Sequence, residues 1–462
     1  MQDQNLYELE NHPVGSLIWR YFWPAFIGVM ANSLYNIIDR IFIGNYVGPE
    51  ALSGITAVFP VMVIMMAFGM LVGMGGSVRL SLNLGRKDYD RAHRVVGNVV
   101  VLILLVSAFV TGLGFAIKDP MLRLFGATDT TIQYANNYLN VILWGVVLHE
   151  FGFSLNALIR AEGNARIAMY SMLISAGVNI PLDALFIVHL DMGVQGAALA
   201  TIISMASLSL WVLIHFRSKR SVVRLKWRYI RLDPYIVWSI VSVGLSPFAM
   251  QIANSGVQAL LNMSLIKYGS DLAVGAMGIV MSVGVIIIMS IVALNMASQP
   301  IIGYNYGAAI YQRVRTTLRY GLAIASAFAL LSWIGIQLFP KPIVSLFVGG
   351  NEEIMAYGIE GLRTYLFALP IVGFQIVAGN YFQSVGKAGI AIFLTLLRQL
   401  LVLIPMLLIL PKFWDLTGVW MAAPVSDAVS GLVCAGLLIV EWRQLKRKSS
   451  EDVDQNSKTG PW

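Results

Sequence analysis

Charged residues are scarce in this sequence. Only 12% of its 462 residues are Asp, Glu, Lys or Arg, and 57% are hydrophobic, whereas soluble domains average about 25% charged and 45–50% apolar residues. A soluble chain cannot hide so much apolar surface, so the composition excludes a soluble enzyme, a DNA-binding module and a disordered scaffold. It predicts an integral membrane protein that crosses the bilayer several times.

Other missing features narrow the function. The single cysteine, Cys434, leaves no possibility of an internal disulfide. The sequence contains no P-loop, no His-Glu-x-x-His and no Gly-x-Ser-x-Gly, the motifs of nucleotide, zinc-protease and serine-hydrolase chemistry. We therefore expect no enzymatic activity and no cofactor. Any transport would be driven by an ion gradient or be passive.

The apolar residues fall into long runs. A transmembrane helix needs about 20 mostly apolar residues, and roughly twelve stretches satisfy that criterion. We expect an all-α protein with twelve membrane-spanning helices. Their approximate centres are Val29, Met65, Leu105, Val146, Val178, Met205, Val257, Ile287, Ala325, Ile371, Leu401 and Leu432.

The basic residues predict the orientation. Lys and Arg concentrate in the loops at 86–94, 217–231 and 313–319 and in the tail after 443, which twelve spans place on one side. Such loops are cytoplasmic. We predict a cytoplasmic N-terminal segment (1–13), an N-lobe of helices one to six (14–216), a basic cytoplasmic linker (217–234), a C-lobe of helices seven to twelve (235–443) and a disordered cytoplasmic tail (444–462). The linker is either a topology signal or an anionic lipid site.

The two halves contain a weak internal repeat. Gly85 and Tyr89 recur at one constant offset as Gly307 and Tyr311. Two halves of six spans each have the same orientation, so the repeat is parallel, with its axis along the membrane normal. Repeated halves are typical of transporters, whose substrate site lies between them.

Charges at membrane depth are rare and often functional. Asn179 and Asp183 lie four residues apart, on one helix face, and Pro181 between them frees a backbone carbonyl. Carboxylate, amide and carbonyl oxygens bind hard cations, and intramembrane carboxylates also carry protons. Thr201 on the next span adds a hydroxyl. The alternative is that Asp183 only packs helices together.

A second polar stripe lies on the first span. Asn32, Tyr35 and Asp39 follow helical spacing on one face. The alternative is an interfacial ion pair between Asp39 and Arg40, although adjacent residues do not face each other on a helix.

Further membrane-depth charges have more ordinary interpretations. Glu150 is either a second proton relay or a packing residue. We expect Glu360 and Arg363 to form a structural ion pair within span ten. We also expect Arg398 and Asp427 to pair between spans eleven and twelve.

Six short motifs follow one another along residues 13 to 443. They are Tyr-Asn-Ile-Ile-Asp (35–39), Leu-Gly-Arg-Lys-Asp-Tyr (84–89), Ile-Arg-Ala-Glu-Gly-Asn-Ala (159–165), Gly193–Thr201, Gln299–Gly307 and Gly418–Asp427. In this order they resemble the multidrug and toxic compound extrusion (MATE) family of transporters, and within it the DinF-like branch that includes MepA-type pumps.

The resemblance implies a fold and an activity. The fold would be two six-helix lobes, related by a parallel pseudo-two-fold repeat, around a V-shaped central cavity. The activity would be export of organic cations or drugs in exchange for protons or sodium. The coupling cluster of the branch maps onto Asp39, Asn179, Asp183 and Thr201, where sodium could bind.

The resemblance also assigns a substrate cavity. NorM-type members carry an acidic residue early in helix seven, but this chain has none between Met250 and Gln258. That departure favours coupling through the N-lobe. The polar residues expected to line the cavity are Asn32, Tyr35, Asn36, Asn156, Gln251, Asn254 and Gln258.

We thus predict a bacterial or archaeal inner-membrane antiporter, monomeric, with small organic cations and membrane lipid as its partners and no nucleic acid. A flippase for lipid-linked or other amphipathic molecules is the nearest alternative. Its cavity would need more basic residues than Arg363 and Arg398. An intramembrane enzyme is a more distant alternative, for which only His149 and Glu150 offer an acid–base pair.

Overall fold

The computed structural model describes residues 2–348 and 352–458, and this part of the chain is helical with no strand. A bilayer leaves no water to satisfy backbone groups, so long apolar segments become helices whose hydrogen bonds are internal. The chain forms two compact units. The first contains Met1–Pro13 and Trp19–Gln251, and the second contains Val14–Ile18 and Ile252–Trp462.

The first unit begins with a short helix and continues with long ones. The helices are α1 (Gln2–Asn11), α2 (Val14–Phe42), α3 (Pro49–Gly85), α4 (Tyr89–Leu124), α5 (Ile132–Ala161), α6 (Ala165–Asp183), α7 (Gly193–Arg217) and α8 (Pro234–Tyr268), which continues into the second unit. α2 and α6 each end in a π-helical turn, Ile43–Val47 and Ala184–His189.

The second unit has more interruptions. Its helices are α9 (Asp271–Gly307), α10 (Tyr311–Leu338), α11 (Pro340–Ser345), α12 (Glu352–Tyr365), α13 (Leu369–Ser384), α14 (Ala388–Leu396), α15 (Ile404–Ile409) and α16 (Pro411–Lys458). A π-helical segment, Leu397–Leu403, joins α14 to α15. α16 is kinked at Trp414 and Asp415.

The prediction of twelve spans is confirmed. Among the described residues, eleven helices are long and apolar enough to cross a membrane, and α12 with α13 makes the twelfth as a pair bent by 51°. Pro370 lies in the first turn of α13, where its missing N–H is tolerated. The tenth predicted span is therefore a broken helix.

Two predicted boundaries differ from the structure. The division between the units falls after Gln251, inside α8, and not in the linker at 217–234, because the first part of α8 packs against α3. The tail at 444–462, which we expected to be disordered, continues α16 as far as Lys458. It is rich in Lys, Arg, Glu and Gln, which favour helix. Residues 459–462 lie outside the described part.

The repeat is visible in backbone geometry. α3 ends at Gly85 and α9 at Gly307, while α4 and α10 begin at Tyr89 and Tyr311. In the first turn Lys87 has φ 59°, and in the second Ala309 has φ 60°. Corresponding amides bond to corresponding carbonyls in both turns. The halves therefore repeat a local structure as well as a sequence pattern.

A buried glutamate fixes the central linker to the first unit. Glu162, in the turn between α5 and α6, is completely buried. Its carboxylate accepts hydrogen bonds from the Ser221 hydroxyl at 2.8 Å and the Val223 amide at 3.1 Å. His215 Nε2, at the end of α7, lies 3.2 Å from the same carboxylate. Glu162 thus acts as a structural anchor.

The contact between α3 and α8 depends on glycine. A Cβ at Gly244 would collide with the Leu71 carbonyl, and one at Gly75 would collide with the Ile240 carbonyl. Arg79 of α3 also donates from Nε to the Ser239 carbonyl at 2.9 Å. Small residues allow such close backbone approach between membrane helices.

We expect Gly244→Ala to destabilise the protein by about 1–3 kcal/mol, because the added methyl forces the two backbones apart. Thermal unfolding of the detergent-solubilised protein measures the effect. Gly256→Ala, on the same helix, is the control, since nothing lies within 4 Å of its Cβ. Equal melting temperatures for the two variants would contradict the close contact.

Candidate functional site

Two carboxylates of the first unit are buried without a hydrogen-bond partner. Asp39 lies near the end of α2 and is 6% exposed, and Asp183, the last residue of α6, is fully buried. Among the described residues, nothing donates a hydrogen bond to Oδ1 of Asp39 or to either carboxylate oxygen of Asp183. Asp39 is near enough to act electrostatically on Asp183. Two acidic groups therefore share one buried region.

Arg40 does not form the interfacial ion pair that was the alternative for Asp39. Its guanidinium lies over the ring of Phe59, 5.1 Å from the ring centroid, and Arg40 is exposed whereas Asp39 is buried. Adjacent residues on a helix point in different directions, which explains the separation. Asp39 is left to face the interior.

The backbone is irregular where both acids lie. The π-helical turn Ala184–His189 begins immediately after Asp183, and Ile43–Val47 follows Asp39 by one turn. Pro181 lacks an N–H, so the carbonyl of Gly177 has no ordinary helical donor. Such π-helical turns are rare and frequently occur at functional sites.

Other polar side chains surround the acids. Asn179, one turn before Asp183, is fully buried, and both polar atoms of its amide lack a partner among the described residues. Tyr35 is 6% exposed on α2 and interacts electrostatically with Asp39 and Asp183. Thr201 is half-buried on α7.

Tyr138 of α5 is a member of this group that sequence reasoning missed. It is 3% exposed, it interacts electrostatically with Asp39 and Asp183, and its hydroxyl is within hydrogen-bonding reach of Thr201. Tyrosines are common at membrane interfaces, so its residue type alone carries no functional signal. We call the whole set the acid cluster; its members are Tyr35, Asp39, Tyr138, Asn179, Asp183 and Thr201.

Asn156 lies elsewhere on α5. Its amide donates to the Ala168 carbonyl at 2.9 Å and to the Ser171 hydroxyl at 2.7 Å, and its oxygen accepts from Arg160. It is about five turns, or roughly 27 Å, from Tyr138 along the helix. The structure therefore does not bring Asn156 to the acid cluster, and its hydrogen bonds fasten α5 to α6.

Asn32 and Asn36 lie on α2 before the acids. Asn32 is half-buried and Asn36 is exposed. The Asn36 amide donates to the Asn32 backbone carbonyl at 2.7 Å. Both remain predicted cavity residues.

The remaining predicted cavity residues lie on α8. Gln251 is half-buried and is the last residue of the first unit. Asn254 and Gln258 line a cavity of about 240 Å³ within the second unit. Gln399 donates from Nε2 to Oδ1 of Asn254 at 2.8 Å.

One predicted ion pair is confirmed and one is wrong. Arg398 Nε donates to Asp427 Oδ1 at 2.6 Å. Arg363 instead donates from Nη2 to the Gln337 carbonyl at 3.1 Å, while Glu360 accepts from Thr417. Carbonyls in the last turn of a helix lack helical donors and attract cations, so the end of α10 captures Arg363.

Glu150 keeps both of its interpretations. It is 1% exposed, and both carboxylate oxygens lack a hydrogen-bond partner among the described residues. His149 Nδ1 lies 3.5 Å from one of them, and Gly69 of α3 leaves room for the other. Glu150 is roughly 18 Å from Tyr138 along α5, so it is not part of the acid cluster.

The acid cluster offers only oxygen donors apart from the Asn179 amide nitrogen. Two carboxylates, an amide oxygen and hydroxyls suit a hard cation, and the carboxylates can equally carry a proton. Within the described ranges, no group of three or more His, Cys, Asp and Glu side chains is placed to hold a metal ion. The chemistry of the cluster is therefore exchange of a proton or a small hard cation.

Comparison with known proteins gives consistent matches. The family described as MatE matches residues 24–185 and 247–409, so each half of the chain matches it. Multidrug export protein MepA of Staphylococcus aureus is 27% identical over 440 residues, which cover 95% of this chain and 96% of that protein.

Solved structures of transporters match over nearly the whole chain. A structure of MATE in the bent conformation has a TM-score of 0.90 and 27% identity, covering 96% of this chain and 99% of that one. The MATE multidrug transporter DinF-BH in complex with rhodamine 6G has a TM-score of 0.87 and 38% identity, covering 93% and 96%.

We expect Asp183→Asn to stabilise the protein, since it replaces an unpartnered buried carboxylate beside Asp39 by a neutral amide. Asp427→Asn should instead lower the free energy of unfolding by about 2 kcal/mol, because it weakens a charge-assisted hydrogen bond. Melting temperatures of the two purified variants test this. A loss of stability in both would contradict the unpaired state of Asp183.

Proposed function

Because the chain belongs to the MATE family of transporters, we propose that it is a multidrug efflux antiporter. In this proposal it exports organic cations or drugs in exchange for protons or sodium. The observation that carries the proposal is the acid cluster, where Asp39 and Asp183 are buried without a counter-ion among the described residues. Such carboxylates are costly in a membrane and typical of ion-coupled transport.

Coupling requires two states with different affinities. An ion can shift the balance between an inward-open and an outward-open state only if it binds one of them more tightly. Protonation of Asp39 and Asp183, or sodium binding to them, neutralises their mutual repulsion. The π-helical turns beside both acids and Pro181 within α6 supply irregular backbone that can change shape when that repulsion disappears.

The names of similar proteins support the substrate class. MepA is named as a multidrug export protein, and the DinF-BH structure contains a rhodamine, which is a cationic dye. An unpaired pair of carboxylates would attract such cations electrostatically. We infer that organic cations and coupling ions compete for the acid cluster.

The proposed setting is the inner membrane of a bacterium or archaeon. The basic loops, with 86–94 and the linker among them, would face the cytoplasm together with both termini. We propose that the protein acts as a monomer, without a cofactor and without nucleic acid.

We expect proteoliposomes containing the protein to expel this rhodamine dye when a proton or a sodium gradient is imposed, and Asp183→Asn to reduce that efflux to near background. Imposing the two gradients separately identifies the coupling ion. Asp129→Asn is the control, because Asp129 is 87% exposed and pairs with Arg123 on the surface.

Efflux that ignores both gradients, or that survives Asp183→Asn unchanged, would contradict coupling through the acid cluster. Either result would favour the alternative, a flippase-like exporter of lipid-linked or other amphipathic molecules.

A further inference from the structure

The second unit contains a cavity of about 240 Å³ with the composition of a ligand site. Most of its lining is aliphatic, and its polar groups come from α8, α12, α16 and the π-helical segment Leu397–Leu403. The polar lining residues are Asn254, Gln258, Tyr365, Arg398, Gln399 and Asp427. Small-molecule sites typically combine an apolar wall with a few placed polar groups.

Arg398 uses little of its hydrogen-bonding capacity. Its Nε donates to Asp427 Oδ1 at 2.6 Å, and its side chain is 30% exposed. Its terminal nitrogens have no hydrogen-bond acceptor among the described residues. A guanidinium carries five N–H donors in a planar fork, so four of them remain for a ligand.

The surroundings orient this arginine. Arg398 and Gln399 lie on the π-helical segment, a backbone form associated with functional sites. The Ser426 hydroxyl donates to the Arg398 carbonyl at 2.7 Å, which ties that segment to α16. Gln399 adds a buried amide oxygen with no donor among the described residues.

A purely structural role does not explain this arrangement well. An isolated buried ion pair contributes little net stability compared with apolar residues of similar size. A partly exposed arginine at a cavity wall, with its terminal nitrogens unused, has what a planar anion needs. Arginine binds carboxylates through two parallel hydrogen bonds, with more specificity than lysine.

We propose that the cavity binds the carboxylate of an anionic or zwitterionic amphipathic substrate, with Arg398 as its ligand. The carboxylate accepts from the terminal nitrogens while Nε stays bonded to Asp427, so the ion pair need not break. The apolar body of the substrate packs against residues such as Leu261, Val280 and Leu366, which line the same cavity. The inference rests on the proposed export function and extends its substrate class beyond cations.

The test uses two rhodamine dyes that differ in one group. The dye of the DinF-BH complex is an ethyl ester, and its free acid carries a carboxylate at the same position. Fluorescence polarisation measures the affinity of the purified full-length protein for each. Arg398→Gln should weaken binding of the free acid about tenfold or more, as expected for a lost charge-assisted pair, and leave binding of the ester nearly unchanged.

Two further variants define the chemistry. Arg398→Lys keeps the charge but loses the fork, so affinity for the free acid should fall by less than in Arg398→Gln. Arg363→Gln is the control, because Arg363 does not line the cavity, and both affinities should match the parent. If Arg398→Gln does not fold, Asp427→Asn replaces it and should bind the free acid more tightly, since it removes the competing negative charge.

The outcomes separate this inference from the proposed function. Equal losses for ester and acid in Arg398→Gln, or no loss for either, would overturn the carboxylate site. A parent protein that binds the ester but not the acid would overturn it as well and leave cation export standing. A parent that binds the acid but not the ester would support the site and contradict export of cations.

Discussion

A charge inside a bilayer has no water to solvate it, and the arrangement of this protein's charges follows from that constraint. A membrane-depth carboxylate must find a partner, become neutral or bind a cation. Asp427 has a partner in Arg398. Asp39 and Asp183 have none among the described residues, and this difference directs the functional interpretation to the first unit.

The two halves of the chain repeat the same helices and turns but not the same charges. The turns after Gly85 and Gly307 share their backbone geometry, which shows how strongly the repeat is kept in structure. The first half combines two acids with hydroxyls and an amide, an arrangement suited to cations. The second half pairs an acid with an arginine, an arrangement open to anions. One duplicated scaffold thus offers two different electrostatic environments.

Much of this architecture could be predicted from the sequence because membranes impose simple rules. Apolar runs located all twelve spans, and the rarity of charges at membrane depth identified Asp39, Asp183 and the Arg398–Asp427 pair. Tyr138 could not be found, because its importance depends on which helix faces pack together. Glu360 and Arg363 were misassigned for a related reason: the free carbonyls at the end of α10 compete for the arginine, and sequence spacing does not record them.

The most direct test of the central claim is ion exchange on substrate binding. The rhodamine ester would be added to weakly buffered, detergent-solubilised protein while a pH indicator and a sodium electrode record what is released. The account predicts that the parent releases protons or sodium as the dye binds, and that the double variant Asp39→Asn, Asp183→Asn releases neither. Equal release from the parent and the double variant would contradict the assignment of the coupling ion to the acid cluster.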